Sequence, residues 1–129
     1  MYTPAEFAHL RFLEGRWRGT TPDGRPFYEA YDFPEATTLR STRYDDGGFD
    51  TPTDESAVAL EDGEIVSRWG EFTWRATKMA PDQACFAPVN APSAFCWQRV
   101  GDARVDVVQR WTDEAGDDQS ATVELERVA

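Results

Sequence analysis

The period of the hydrophobic positions changes once along this chain, at Gly15. Before it, Phe7, Leu10 and Leu13 recur every third residue, which is close to the repeat of a helical face. After it, apolar and polar residues alternate with period two, the signature of half-buried strands. The opening stretch carries a helix start. Thr3 can cap, Pro4 suits the first helical position, Glu6 completes a capping box, and Gly15 stops the helix. One short helix is therefore expected over 3–14. Strands are expected at about 16–21, 27–33, 37–44, 54–60, 64–69, 71–79, 84–88, 94–100, 104–111 and 120–128.

The breaks between these runs carry turn chemistry, as in Pro22-Asp23-Gly24, Asp45-Asp46-Gly47-Gly48, Glu61-Asp62-Gly63, Gly101-Asp102 and Ala115-Gly116-Asp117. Short strands joined by short links favour an up-and-down meander. The expected fold class is all-β: an antiparallel up-and-down barrel of about 8–10 strands, preceded by the short N-terminal helix. Residues 1–129 read as a single domain, with the barrel over 16–128.

Three hairpins can be drawn residue by residue. Gly70-Glu71 fits a two-residue type II′ turn, which pairs Trp69 with Phe72, Ser67 with Trp74 and Ile65 with Ala76 on an inward face. A turn at Pro34-Glu35-Ala36 pairs Tyr31 with Leu39, Glu29 with Ser41 and Phe27 with Arg43, and leaves Glu29 diagonal to Arg43. The opposite register turns Arg40 inward instead, so in either case an arginine faces the interior. A third hairpin around Pro88–Ser93 sets Phe86 against Phe95 and Cys85 against Cys96.

Composition narrows the class. The net charge is −11, which disfavours nucleic acid and anionic membrane surfaces as partners. Aromatic residues make up 13% of the chain, too many large rings to leave uncovered, so they must pack together or line a pocket. No apolar stretch approaches a membrane-spanning length. Met1-Tyr2-Thr3-Pro4-Ala5-Glu6 does not read as a signal peptide, and the expected compartment is the cytoplasm. There, Cys85 and Cys96 are expected as reduced thiols.

The octet Phe12-Leu13-Glu14-Gly15-Arg16-Trp17-Arg18-Gly19, at the junction of helix and strands, resembles the calycin superfamily. Gly15-Arg16-Trp17 matches the Gly-x-Trp of that group's first strand, and the octet is similar to nitrobindin-like and lipocalin-like bacterial barrels of uncharacterised function. The resemblance implies a barrel closed near its base by the helix, with Trp17 as plug. It also implies an arginine of the last strand, here Arg127, stacked across that tryptophan. Gly15, Trp17 and Arg127 are thus the structural signature. Nitrobindin-like proteins bind haem through a late histidine, whereas the single histidine here is His9. Haem is therefore not expected, and no other cofactor is.

Candidate chemistry lies mainly inside the barrel. A triad or a Cys–His pair would need His9, which precedes the sheet. No His/Cys cluster or EF-hand spacing suggests a metal, and acidic pairs such as Asp54-Glu55 read as solvated loop charge. Glu29, Ser41 and Arg43 share a face with Tyr31, while Ser67, Trp69, Trp74 and Gln109 join them by strand parity. These eight residues are the expected ligand-binding set. Arg43 is expected either to pair with Glu29 or to grip an anionic group by a fork of hydrogen bonds.

The resulting expectation is a protein that binds a small apolar or amphipathic ligand, an anionic one included, as a monomer or homodimer. A cofactor-free isomerase, cyclase or decarboxylase is the alternative that the resemblance admits, with Glu29 as acid or base and Arg43 as anchor. A third reading is an interaction domain that uses the outer face of Val66, Arg68, Thr73 and Arg75.

Overall fold

Thr3 caps the first helix in the computed structural model, which describes residues 1–128. Its hydroxyl accepts from the Glu6 backbone N–H while the Glu6 carboxylate accepts from the Thr3 N–H, so the capping box is complete. The helix does not continue as α to residue 14. α1 covers Pro4–Phe7 and then tightens into a 3-10 helix, Ala8–Leu13. The spacing explains this, because 3-10 winding superposes every third residue. Phe7, Leu10 and Leu13 consequently share one face, and all three are fully buried.

Ten strands follow: β1 (Gly15–Thr20), β2 (Pro26–Glu35), β3 (Thr38–Tyr44), β4 (Pro52–Glu61), β5 (Glu64–Trp69), β6 (Phe72–Ala80), β7 (Gln83–Pro88), β8 (Ala94–Gly101), β9 (Arg104–Thr112) and β10 (Asp118–Val128). Each pairs antiparallel with its sequence neighbour, and β1 pairs with β10 to close the barrel. Closure leaves no strand edge free. The expected all-β up-and-down barrel is thus the observed one. No helix among the described residues is long and apolar enough to cross a membrane.

The β5–β6 hairpin has the expected register, with Ser67 opposite Trp74 and Trp69 opposite Phe72. Gly70 supplies the positive φ, +57°, that the first turn position requires. The β2–β3 hairpin differs from expectation. Its two turn residues are Ala36 and Thr37, and the pairing breaks between Asp32 and Glu35. Pro34 has no N–H to give the ladder, so the strand bulges there. The register shifts by two residues, placing Glu29 opposite Arg43 and Tyr31 opposite Ser41. An even shift keeps every side chain on its original face.

Cys85 and Cys96 face each other on β7 and β8, their Cα atoms 4.1 Å apart, and are joined as a disulfide. The expectation of reduced thiols is corrected: the hairpin register sets the two side chains directly opposite on the same outer face.

Antiparallel order gives the barrel two unlike ends. The base holds the N-terminal helices, the C-terminal end of β10 and the even-numbered hairpin links. Tyr2 ties the N-terminus there, its N–H donating to the Gly63 carbonyl at 2.7 Å and its hydroxyl to the Ala76 carbonyl at 3.3 Å. Trp17, Leu39, Ile65, Phe86, Val105 and Leu125 fill the interior above the helices and are essentially inaccessible.

Trp17 donates through its indole Nε1 to the Leu13 carbonyl at 2.7 Å. The Arg127 guanidinium lies 4.3 Å from the Trp17 ring centroid and donates to the carbonyls of Glu14, Phe12 and Asp102 at 2.7, 3.1 and 3.0 Å. The Phe12 and Glu14 carbonyls lie where the helix ends and have no helical partner, and the Asp102 carbonyl lies in the β8–β9 link. Arg127 occupies the space a Cβ on Gly15 would need, and Gly15 has φ +129°, so only glycine fits this junction.

Candidate functional site

Away from the base, the interior opens. Alternation along β2 and β3 turns Glu29, Tyr31, Ser41 and Arg43 inward together. The Glu29 carboxylate is held by three donors: the Tyr31 hydroxyl at 3.1 Å, the Ser41 hydroxyl at 3.1 Å and an Arg43 guanidinium N–H at 3.1 Å. The Glu29 side chain is only 12% exposed, whereas that of Arg43 is 51% exposed at the mouth. Arg43 also stacks 4.5 Å from the Phe27 ring centroid. Phe27 in turn lies over Gly19, in the space a β-carbon there would claim.

Burial pushes the Tyr31 phenol well above the ordinary tyrosine value, and the charge and hydrogen bond of Glu29 push it further. The unfolded chain releases this proton near pH 10 while the folded barrel retains it. The barrel's stability is therefore intact below about pH 10 and falls as pH rises beyond it. An alkaline titration of tyrosinate absorbance should show one of the four tyrosines ionising only as the fold is lost. Titration of all four near pH 10 with the fold retained would contradict the buried Tyr31–Glu29 contact.

The opposite wall comes from β5 to β8. Ser67 and Trp74 face each other, and Trp69 faces Phe72 at the mouth. Trp74 is anchored by its indole N–H on the Ser93 carbonyl at 2.7 Å. Rings then follow in contact around the wall, Trp69 to Phe72, Trp74, Phe95 and Trp97, and on to Tyr31, with centroids 5.1 to 6.3 Å apart. Most meet edge to face or tilted, the favourable arrangements for quadrupolar rings.

Between the two walls lies a cavity of about 360 Å³. Glu29, Tyr31, Ser41, Ser67, Trp69, Trp74 and Gln109 all line it. Arg43 does not; it borders the adjoining mouth space of about 270 Å³. The structure thus brings the eight candidate residues to one end of the barrel and divides them between an aromatic depth and a polar rim. His9 lies in the 3-10 helix at the far end.

Ser56, Phe72, Phe95, Trp97 and Asp54 also border these spaces and were not among the candidates. A parity signal existed for two of them. Val58 points inward, so Ser56 and Asp54 on the same strand do too. Asp54-Glu55 is not loop charge, because β4 begins at Pro52. Asp54 accepts a hydrogen bond from the Trp69 indole.

Several lining groups have no partner among the described residues. Among the described residues, every fully enclosed side-chain polar atom is hydrogen-bonded. Among the described residues the Ser67 hydroxyl has no hydrogen-bond partner although the residue is only 5% exposed, so it faces the cavity space. Ser56 and Gln109 likewise line the cavity without a side-chain partner among the described residues.

The outer face has a different character. Arg68 forms a two-point pair with Glu61 at 2.6 and 2.8 Å, and Arg75 lies 3.4 Å from Glu64. The basic groups of that face are therefore matched by carboxylates.

No family model matches the chain, and no curated protein matches it. Among solved structures, it is similar to one described as EF1p2_mFAP2b bound to DFHBI, at 13% identity and a TM-score of 0.48 over 95% of this chain and 99% of that one. It is also similar to a redesigned beta barrel, b11L5F_LGL, at 15% identity and a TM-score of 0.42 over 94% and 96% of the two chains. Neither likeness assigns a family.

Proposed function

We propose that the barrel binds a small, flat, amphipathic molecule, with its apolar rings between Trp74, Phe95 and Trp97 and its polar end toward the mouth. One observation carries this reading. Ser67, only 5% exposed, presents its hydroxyl to an aromatic-walled cavity with no partner among the described residues, and half-buried Ser56 and the more exposed Gln109 continue that polar line toward the mouth. Buried polar groups are normally satisfied from within. The volume of about 360 Å³ lies in the range of small-molecule sites.

A catalytic role for Glu29 has less support. Three of the roughly four acceptor positions of its carboxylate are taken, one of them by a cation. That arrangement holds a fixed anion rather than a base free to move a proton.

The test is a titration of flavonoids and medium-chain fatty acids, read by tryptophan fluorescence and thermal shift, with porphyrins as an oversized control. A ligand of about 15–20 heavy atoms should bind with a Kd of roughly 1–100 μM. Quenching that saturates together with a rise in Tm supports the reading. A flat response to every compound except porphyrin would remove it.

A further inference from the structure

We infer that the mouth selects ligands whose outward-facing end is positively charged. The inference rests on the proposed cavity and adds the class of molecule that enters it.

The mouth groups do not cancel. Arg43 is engaged by Glu29 at 3.1 Å, so that pair is locally neutral. Arg43 also lies opposite Asp54 on the neighbouring strand, but among the described residues Asp54 forms no ion pair, so one arginine faces two carboxylates and the mouth keeps a net negative charge. One of the Asp54 carboxylate oxygens accepts from the Glu55 backbone N–H at 2.9 Å and the other from the Trp69 indole N–H. Both donors are neutral, so they fix the carboxylate without offsetting its charge. The same bond holds Trp69 at the rim, where it is 44% exposed. An indole beside an unmatched carboxylate is a favourable setting for an organic cation.

The surrounding loops act in the same direction. Five links lie at the mouth end: 21–25, 45–51, 70–71, 89–93 and 113–117. Asp45, Asp46 and Asp50 lie in the second of these, and Asp113, Glu114 and Asp117 in the fifth. Asp23 and Glu71 add to them, and Arg25 is the one basic residue in the five. At the base, the links at 36–37, 62–63, 81–82 and 102–103 hold Asp62, Asp82 and Asp102, and Asp102 is paired with Arg99 at 2.6 Å. The mouth links therefore carry a larger net negative charge than the base links, even with Asp23 paired to Arg25 at 3.3 Å. Within a Debye length of about 8–10 Å such charges add, and salt weakens them. An anionic head, which Arg43 alone would invite, meets this field as repulsion.

The experiment uses three probes with one ring system at slightly alkaline pH: 9-aminoacridine as the cation, acridine as the neutral form and acridine-9-carboxylate as the anion. Their shared rings make the cavity contribution common to all. By calorimetric titration at low salt, the cation should bind at least about ten-fold tighter than the anion. Added salt should shrink the difference. Asp54→Asn keeps an acceptor for Trp69 and should cut the cation's advantage over acridine several-fold. The Asp45→Asn/Asp46→Asn pair, out in a loop, should cut it less.

Equal affinity for all three probes, or a preference for the carboxylate, overturns charge selection while leaving the cavity reading in place. A cation advantage that survives both high salt and Asp54→Asn overturns it as well. Binding of none of the three overturns the cavity reading, and this inference with it.

Discussion

Trp17→Ala should lower the stability of the barrel by about 3–5 kcal/mol, seen as a large fall in the denaturant midpoint. The side chain is completely inaccessible and fills the barrel just above the N-terminal helices. Truncation removes the largest single apolar contact of the base and leaves a void that β1 and β10 cannot close, since both are locked in the ladder. It also strips the Leu13 carbonyl of its donor and the Arg127 guanidinium of its stacking surface. A small domain has only about 5–15 kcal/mol in hand, so much of the total is at stake. Trp17→Phe should cost distinctly less, because a ring remains under Arg127 and only the indole N–H and part of the volume are lost. A midpoint shift worth under about 1 kcal/mol for Trp17→Ala would show that the base is not where the fold is held.

The second large effect separates binding from stability. Ser67→Phe should weaken ligand binding by at least about ten-fold while leaving the fold as stable or about 1 kcal/mol more so. Ser67 lies on the inner face opposite Trp74, and its hydroxyl faces open space. A phenyl group there enters the cavity instead of clashing with packed neighbours, and it replaces an unpartnered hydroxyl with apolar surface. Sites kept open for a ligand commonly trade stability for function in this way. Flavonoid titration of the variant beside its unfolding curve reads both effects. Undiminished binding would place the ligand elsewhere, and a strongly destabilised variant would mean that no room exists beside Ser67.

The candidate site was legible in the sequence to the extent that strand parity reaches. Glu29, Tyr31, Ser41, Ser67, Trp69, Trp74 and Gln109 line one cavity because each was assigned a face from a period-two pattern, and the pleat enforces that period locally. The misplaced Glu29–Arg43 contact shows where parity stops. The two residues were read as diagonal and are directly opposite, because Pro34 forces a bulge whose offset no alternation pattern records. Asp54 was missed for another reason. Its hydrogen-bond partner Trp69 is 15 residues away, diagonal to it on the neighbouring strand, and beside Glu55 it read as loop charge.

The amino-acid sequence by itself determined the ten strands, all their turns but the one after Pro34, and the inward face of most of them, because each depends on neighbours a few residues away. Only the tertiary structure decided how high along the barrel axis each inward residue sits. Height follows from registers accumulated around the closed sheet, and a single bulge changes it for the strands beyond. That is why the large apolar side chains meet at the base as a solid core, while serines, a glutamine and an unmatched aspartate gather at the other end around an open mouth.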